Sequence, residues 1–548
     1  MSSNSDKVVY DESVEEQDNV NLFESKKYTY ITDSSSSNGA FSGQIQFDLN
    51  TLSSQNQWTD LSQAVITFPV KLSITNGADL APGACTINSA TIKSGFHNFI
   101  DSAQIVIGST TVQSSQIFTN IDVNYKILTE WSADTLAKYG STLGVSLDDL
   151  DVSYDTDIGV SESTDNQLLS TTVRGFDIWD QRNNKGPEER CRMFNNNVST
   201  SALGRSILGT NQVTLGKGNV QTNAALATTG SDTFVLYALG TIRLKDISPA
   251  VSALPVMKSL KGFVYLNYNA STHALTNANG SANLTAVNSQ SIFGRCAPAI
   301  LNYGTSGWSP NATTGSIVTF RADINATTSN LSTAKYIQTN AVLYAPYYVA
   351  TPEVDRNLTM KKTVRYNERF VTQFNLTENG NFSGTLSPGI SNPKRVILYP
   401  YLTGAGTSGN SGFITNPLLS PFDGTPFTSS PFAAIKDWQL YVGNVPMFQQ
   451  PVTQDFQTFL NEVSQNGEDG GLVDTRSSGL LNQRLWNTLY RYYTCDIGRR
   501  MNSEDGASKS IQISCTNATN CPMTVIAIIH YEREIVVETA SGQIMQTM

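Results

Sequence analysis

Apolar residues along this chain recur mostly with period two. Ala64, Ile66, Phe68, Val70, Leu72 and Ile74 alternate with Val65, Thr67, Pro69, Lys71 and Ser73, which predicts a strand with one buried face. Shorter alternations at 44–49, 104–108, 233–245, 317–324, 438–442 and 510–515 read the same way. Three runs, 342–349, 396–402 and 525–529, are apolar on both faces and predict strands enclosed from two sides. Clusters of Gly, Asn, Ser and Pro separate the runs, as at 76–83 and 404–412. The chain therefore reads as all-β. Three segments depart from this. Phe456, Phe459, Leu460 and Val463 lie at helical spacing in 455–465, with Thr453 as the expected N-cap. Leu481, Leu485 and Leu489 repeat every four residues, and 123–139 carries Ile127, Trp131 and Leu136 in a weaker match. Short helices between strands are expected to cover an open sheet end.

Self-similarity at long range organises these elements. Gly39-Ala40-Phe41-Ser42-Gly43 recurs 341 residues on as Gly380-Asn381-Phe382-Ser383-Gly384. A buried strand follows each copy, at 64–72 and at 395–402. The run from Ala103 to Gly108 is echoed 335 residues on by that from Trp438 to Gly443, and each leads into a helical segment. A fourth pair, 317–324 with Asn325-Ala326-Thr327 and 511–515 with Asn517-Ala518-Thr519, is only 192 apart, so the first copy must be longer. Its excess is expected in the polar stretch 140–230. A period this long means two copies of a whole domain rather than a solenoid. Each copy holds about eight strands, the count of a double-sheet jelly roll. The expected architecture is thus two consecutive eight-stranded jelly rolls with short helices inserted between strands. Its parts are an acidic N-terminal arm over 1–26, a first jelly roll with long loop insertions over 27–358, a second over 359–538 and a C-terminal tail over 539–548.

Thr241-Ile242-Arg243-Leu244-Lys245-Asp246, then Leu254-Pro255, then Lys261 to Asn267 resemble a segment of double jelly-roll major capsid proteins. The run from Asn392 to Pro400 and Ser420-Pro421-Phe422-Asp423 are similar to the same family, whose nearest members here are those of polinton-like viruses and virophages. The resemblance implies a structural virion protein without enzymatic activity or cofactor. It implies a homotrimer of pseudo-hexameric outline that meets neighbouring capsomers, penton and minor capsid proteins, and tiles an icosahedral shell around a DNA genome. The arm and the tail after Glu538 would then be contacts between capsomers.

Composition fits this reading. Only 15% of the 548 residues are charged, well under the ~25% of an average soluble protein. Lys+Arg 36 against Asp+Glu 46 gives a net charge of −10, which argues against nucleic-acid binding through bulk positive charge. Asp6, Asp11, Glu12, Glu15, Glu16, Asp18 and Glu24 make the arm acidic, unlike a basic genome-binding arm. The first residues carry neither a basic stretch nor an apolar run, which predicts synthesis in the host cell without a secretory signal, and no run of ~18 apolar residues predicts a membrane span.

Little of the sequence points to chemistry. His97, His273 and His530 each stand alone, and no His-x3-His or Cys-x2-Cys spacing predicts zinc. Cys515 and Cys521 flank a turn and could pair after release from the cell, with Cys495 twenty residues earlier. Asp148, Asp149, Asp151, Asp155 and Asp157 form the sharpest acidic cluster, a solvated loop before it is a calcium site, since the Gly and final Glu of an EF-hand are missing. Phosphate loops and serine elbows are absent, and carboxylate pairs for glycoside hydrolysis cannot be judged from sequence. Lys361-Lys362, Lys394-Arg395 and Arg499-Arg500 are expected as rim or interface contacts, not a nucleic-acid groove. Eleven Asn-x-Ser/Thr sequons, Asn197, Asn269, Asn311, Asn357 and Asn375 among them, reflect composition. The competing reading is a carbohydrate- or receptor-binding β-sandwich protein, a spike or adhesin, with Tyr303, Trp308, Tyr347 and Tyr348 as sugar platforms.

Overall fold

The computed structural model describes residues 23–53, 57–76, 89–148, 232–276, 286–302, 317–327, 338–403, 416–420, 433–464, 479–498, 506–519 and 521–546, together with Gly186 and the short strands 215–216 and 219–220. Residues 1–22 of the arm, most of 140–230, and Tyr303, Trp308, Asp149–Asp157 and Arg499-Arg500 lie outside the described residues.

The first unit opens with β1 (Phe23–Thr32), β2 (Gln44–Asp48), β3 (Val65–Asn76), β4 (Ile100–Ile107) and β5 (Thr110–Gln113). Two helices follow, α1 (Thr119–Glu130) and α2 (Ala133–Leu143). Then come β6 (Asp232–Arg243), β7 (Gly262–Tyr268), an insertion of β8 (Ala270–Thr276), β9 (Ala286–Phe293) and β10 (Ile317–Ile324), and finally β11 (Val342–Ala350). The second unit runs β12 (Lys361–Leu376), β13 (Asn381–Ser391), β14 (Pro393–Leu402), β15 (Ile435–Val442) and β16 (Val445–Pro446). After α3 (Phe456–Ser464) and α4 (Gln483–Thr488) it closes with β17 (Tyr493–Asp496), β18 (Ser508–Asn517), β19 (Met523–Glu538) and β20 (Gln543–Gln546).

The insertion, β20 and the short strands Trp58–Thr59, Ser89–Ile92, Ala299–Asn302, 215–216 and 219–220 apart, each unit has eight described strands paired in the same order. One sheet joins first, eighth, third and sixth strands: β1-β11-β3-β6 in one unit and β12-β19-β14-β17 in the other. The other joins second, seventh, fourth and fifth: β2-β7-β4-β5 and β13-β18-β15-β16. All these pairings are antiparallel, and both helix pairs sit between the fifth and sixth strands. Three of the four sequence echoes therefore fall on equivalent elements.

The fourth echo does not. Ile317–Ile324 is β10, in an insertion of the first unit, whereas Ser508–Asn517 is the seventh strand of the second. What the two share is a turn: the Thr327 N–H donates to Asn325 Oδ1 at 2.6 Å and the Thr519 N–H to Asn517 Oδ1 at 2.8 Å. An Asx turn copies itself wherever Asn precedes a small polar pair, so the match reports local chemistry and not ancestry. Excess length in the first unit thus includes β8–β10, which prolong its sheet beyond β11 along the far half of β3.

The strands apolar on both faces behave as two kinds. In β14 and β19 one face, Val396, Leu398, Val525, Ala527 and Ile529, lines the core of the second unit. The other, Ile397, Tyr399, Tyr401, Ile526 and Ile528, is buried beneath helices. In β11 only Leu343 and Ala345 are buried in the core, and Val342 and Tyr344 on the opposite face stay partly exposed. Asp455, not Thr453, caps α3, accepting from the Thr458 N–H at 2.8 Å; the Thr453 hydroxyl instead accepts from the Asp437 N–H.

The arm and tail are shorter than the sequence suggests. Strand β1 starts at Phe23, inside the stretch read as arm. The tail folds back as β20, pairing with Ile535–Glu538, and Ile544 enters the core of the first unit beside Val364, Tyr366, Ile535 and Val537. Alternating Ile544 and Met545 give this short segment one buried and one exposed position, as strand pairing requires. Replacing Ile544 with Ala should lower stability by about 2–4 kcal/mol in urea unfolding; a loose tail would leave the midpoint unchanged.

Candidate functional site: the junction between the two units

Strands β12 and β19 are each 16 residues long, about 53 Å at the usual rise per residue. One half of the pair belongs to the second unit. The other half runs on past it and gives Val364, Tyr366, Ile535 and Val537 to the core of the first. The Tyr366 hydroxyl donates to the Val112 carbonyl at 2.6 Å, and Thr110 Oγ1 to the Ile544 carbonyl at 2.8 Å. Glu368 accepts from Ser114 Oγ at 2.6 Å and pairs with Arg533 at 2.9 Å.

Helix α1 supplies the second half of the junction. Ile121, Tyr125 and Leu128 lie four and three residues apart, on one face, and pack with Ile397, Tyr399, Ile526 and Ile528 of the second unit. Val123, Ile127 and Trp131 face the other way, against Leu143 and Val145. The loop after α3 comes so close that a Cβ on Gly479 (φ +67°) would lie 2.5 Å from the Thr129 carbonyl oxygen. Buried Lys93, from the first unit, donates to the Pro417 and Leu418 carbonyls at 2.6 and 3.1 Å, and burial pulls its pKa down to about 8. The Asp148 N–H donates to the Tyr490 hydroxyl at 2.5 Å, so the one described member of the acidic cluster is a buried junction residue.

A charged group sits inside this apolar contact. His530 on β19 stands in register between Arg369 on β12 and Arg395 on β14. Asp122 on α1 reaches all but one of them: Oδ1 lies 2.7 Å from His530 Nε2, and Oδ2 lies 3.0 Å from Arg369 Nη1 and 3.4 Å from Lys126 Nζ. Arg395 lies under the Tyr125 ring, 5.2 Å from its centroid, with Nη2 3.0 Å from His530 Nδ1. A guanidinium only donates, so Nδ1 is the acceptor and the neutral ring carries its proton on Nε2, donated to Asp122. Burial would raise the Asp122 pKa, but Lys126, His530 and Arg369 hold it well below the usual carboxylate range. Burial lowers that of His530 by more than Asp122 restores, and the charges of Arg395 and Lys126 lower it further. Arg395, expected on a rim, is thus fully buried within the chain; its neighbour Lys394 does make a partly exposed pair with Glu532 at 2.9 Å.

The remaining sequence candidates stay apart. His97 is buried against Asn124 Oδ1 at 2.7 Å and burial lowers its pKa to about 4; that of buried His273 falls to about 3. Among the described residues no three His, Cys, Asp or Glu side chains converge as a metal site would need. Cys495, Cys515 and Cys521 are not joined in disulfides. Asn269 and Asn517 are fully buried, which removes those two sequons as glycan acceptors. Lys361-Lys362 begin β12 at the surface, and Tyr347 and Tyr348 are half-buried in β11. Among the described residues no helix is long and apolar enough to cross a membrane.

No protein-family model and no curated protein matches this sequence. Solved structures do match. A chain of the Sputnik virophage structure aligns over 96% of this chain and 89% of its own length, at 11% identity and a TM-score of 0.51. The mavirus major capsid protein aligns over 96% and 91% at 11% identity and TM-score 0.44, and the Faustovirus major capsid protein over 93% and 90% at 9% and 0.40. The fold is a double jelly roll. Its repeated strand order and its end-to-end likeness to the Sputnik chain both say so. In double jelly-roll terms, α1 of the first barrel covers the outer face of the second barrel's β12-β19-β14-β17 sheet at its third and eighth strands. The outer face of the matching sheet in the first barrel carries Tyr28 and Tyr30 of β1 exposed and Tyr344 of β11 partly exposed. Tyr28 is 48% and Tyr30 65% exposed, and Tyr30 meets Tyr344 edge to face at 5.1 Å.

Proposed function

We propose that this chain is a major capsid protein, a structural subunit that trimerises and tiles an icosahedral shell around a DNA genome. The observation that carries the reading is the repeat itself: two barrels of one topology, locked by a shared core, make a tile in which three chains present six similar lobes. The double jelly-roll likeness to the Sputnik chain supports it, as do the polar composition and the net charge of −10. Its partners would be two further copies of itself, neighbouring capsomers, and penton and minor capsid proteins; its place is the virion. Its working parts are surfaces and not catalytic residues, and the acidic segment before β1 would reach a neighbouring capsomer.

Trimer contacts fall on the uncovered face at β1 and β11, because the same face of the second barrel is already filled by α1. Exposed aromatics are favoured anchors at such contacts. Light scattering should give three times the chain mass for the purified protein, and the double substitution Tyr30→Asp with Tyr344→Asp should weaken association roughly a thousandfold. A wild-type chain that remains a monomer at high concentration would overturn the proposal. Binding of that monomer on a glycan array would favour the spike or adhesin reading.

A further inference from the structure

We propose that His530 is an acid-sensitive latch between the two barrels: on gaining a second ring proton it can no longer accept from Arg395, and α1 detaches from the second sheet. The inference rests on the junction alone and holds whatever the chain assembles into. Among the described residues, the charged groups facing the ring are Asp122 and Lys126 on α1, Arg369 on β12 and Arg395 on β14. A protonated ring would place an N–H donor 3.0 Å from the Arg395 guanidinium, two donors and two positive charges with no acceptor between them, both side chains being buried.

Asp122 cannot absorb the change by protonating, since its own carboxyl is held well below the usual range. Detachment relieves the clash, because α1 carries Asp122 and Lys126 away and opens the sheet face to solvent. His530 is neutral in the closed junction with a lowered pKa, and in the open form it titrates near the ordinary imidazole value. The closed form is therefore fully favoured above about pH 6.5 and loses ground as pH falls from there toward the lowered value. One proton taken up on opening makes the opening constant rise roughly tenfold per pH unit over that window.

The test is amide hydrogen exchange of the full chain from about pH 7 to about pH 5, read as protection factors for residues 119–130. In wild type these should fall roughly tenfold per pH unit while those of β3, in the first barrel's own core, hold. In His530→Gln, whose amide can still accept from Arg395 and donate to Asp122, the fall should vanish. Lys126→Gln, at the edge of the network and safe for folding, removes one facing cation and should make the acid response shallower. Protection of α1 that does not change with pH, an equal fall in β3, an identical response in His530→Gln, or an undiminished one in Lys126→Gln would each overturn the latch.

Discussion

Asp122→Asn should destabilise the chain by about 3–5 kcal/mol, read as a lower urea midpoint. The carboxylate is 1% exposed and is the shared partner of His530, Arg369 and Lys126. Replacing it with a neutral amide leaves Arg369 and Lys126, with Arg395 behind them, facing one another inside the junction. A buried ion pair adds little net stability over an apolar pair, yet removing one partner is costly because the survivor stays desolvated. Asp134→Asn is the control. Asp134 and Lys138 are as close, at 2.7 Å, but their side chains are 70% and 64% exposed, and such pairs contribute less than about 1 kcal/mol. Equal losses from the two substitutions would mean that the junction charges are solvated.

Trp438→Ala should cost about 3–5 kcal/mol. This side chain, on the fourth strand of the second barrel, is fully buried, with its ring edge-on to Phe448 at 5.2 Å and to Tyr493 at 6.4 Å. A cavity of that size cannot close, because the sheet across the core is fixed from behind by the helices on Tyr399 and Ile528. In the first barrel Phe68, on the third strand, is likewise fully buried and packs edge-on against Phe96 and Phe99, at 6.5 and 6.2 Å. The two side chains belong to separate cores. Their Ala substitutions should therefore add within about 0.5 kcal/mol when combined, and an interaction energy larger than that would show a single merged core.

How much of this the residues reveal in advance depends on how many surfaces each segment serves. The strand at β3 is legible because it has one buried face, Ile66, Phe68, Val70 and Leu72, and a plain alternation. The doubly apolar runs of β14 and β19 point to layers on both sides, which the helices supply. Helix α1 is faint for the opposite reason: Ile121, Tyr125 and Leu128 face the second barrel while Val123, Ile127 and Trp131 face α2 and the segment after it, so two apolar stripes blur into none. The charged group at the junction leaves no sequence signal, since Asp122, Arg369, Arg395 and His530 are far apart along the chain and meet only through sheet register and helix docking. One hint was available: His530 follows Val525–Ile529 in a strand buried on both faces, where an ionisable residue needs a partner. The tail was misjudged because its pairing partner is the overhanging end of β19, and nothing local announces that a strand outruns its own barrel.

The most direct test of the central claim is electron cryomicroscopy of the purified, assembled protein. Three chains should form one closed ring of six barrel-shaped lobes, with the β1–β11 face of each first barrel against the second barrel of a neighbouring chain. Single chains, or a ring in which the first barrel's Tyr28–Tyr30 face stays open to solvent, would contradict the account.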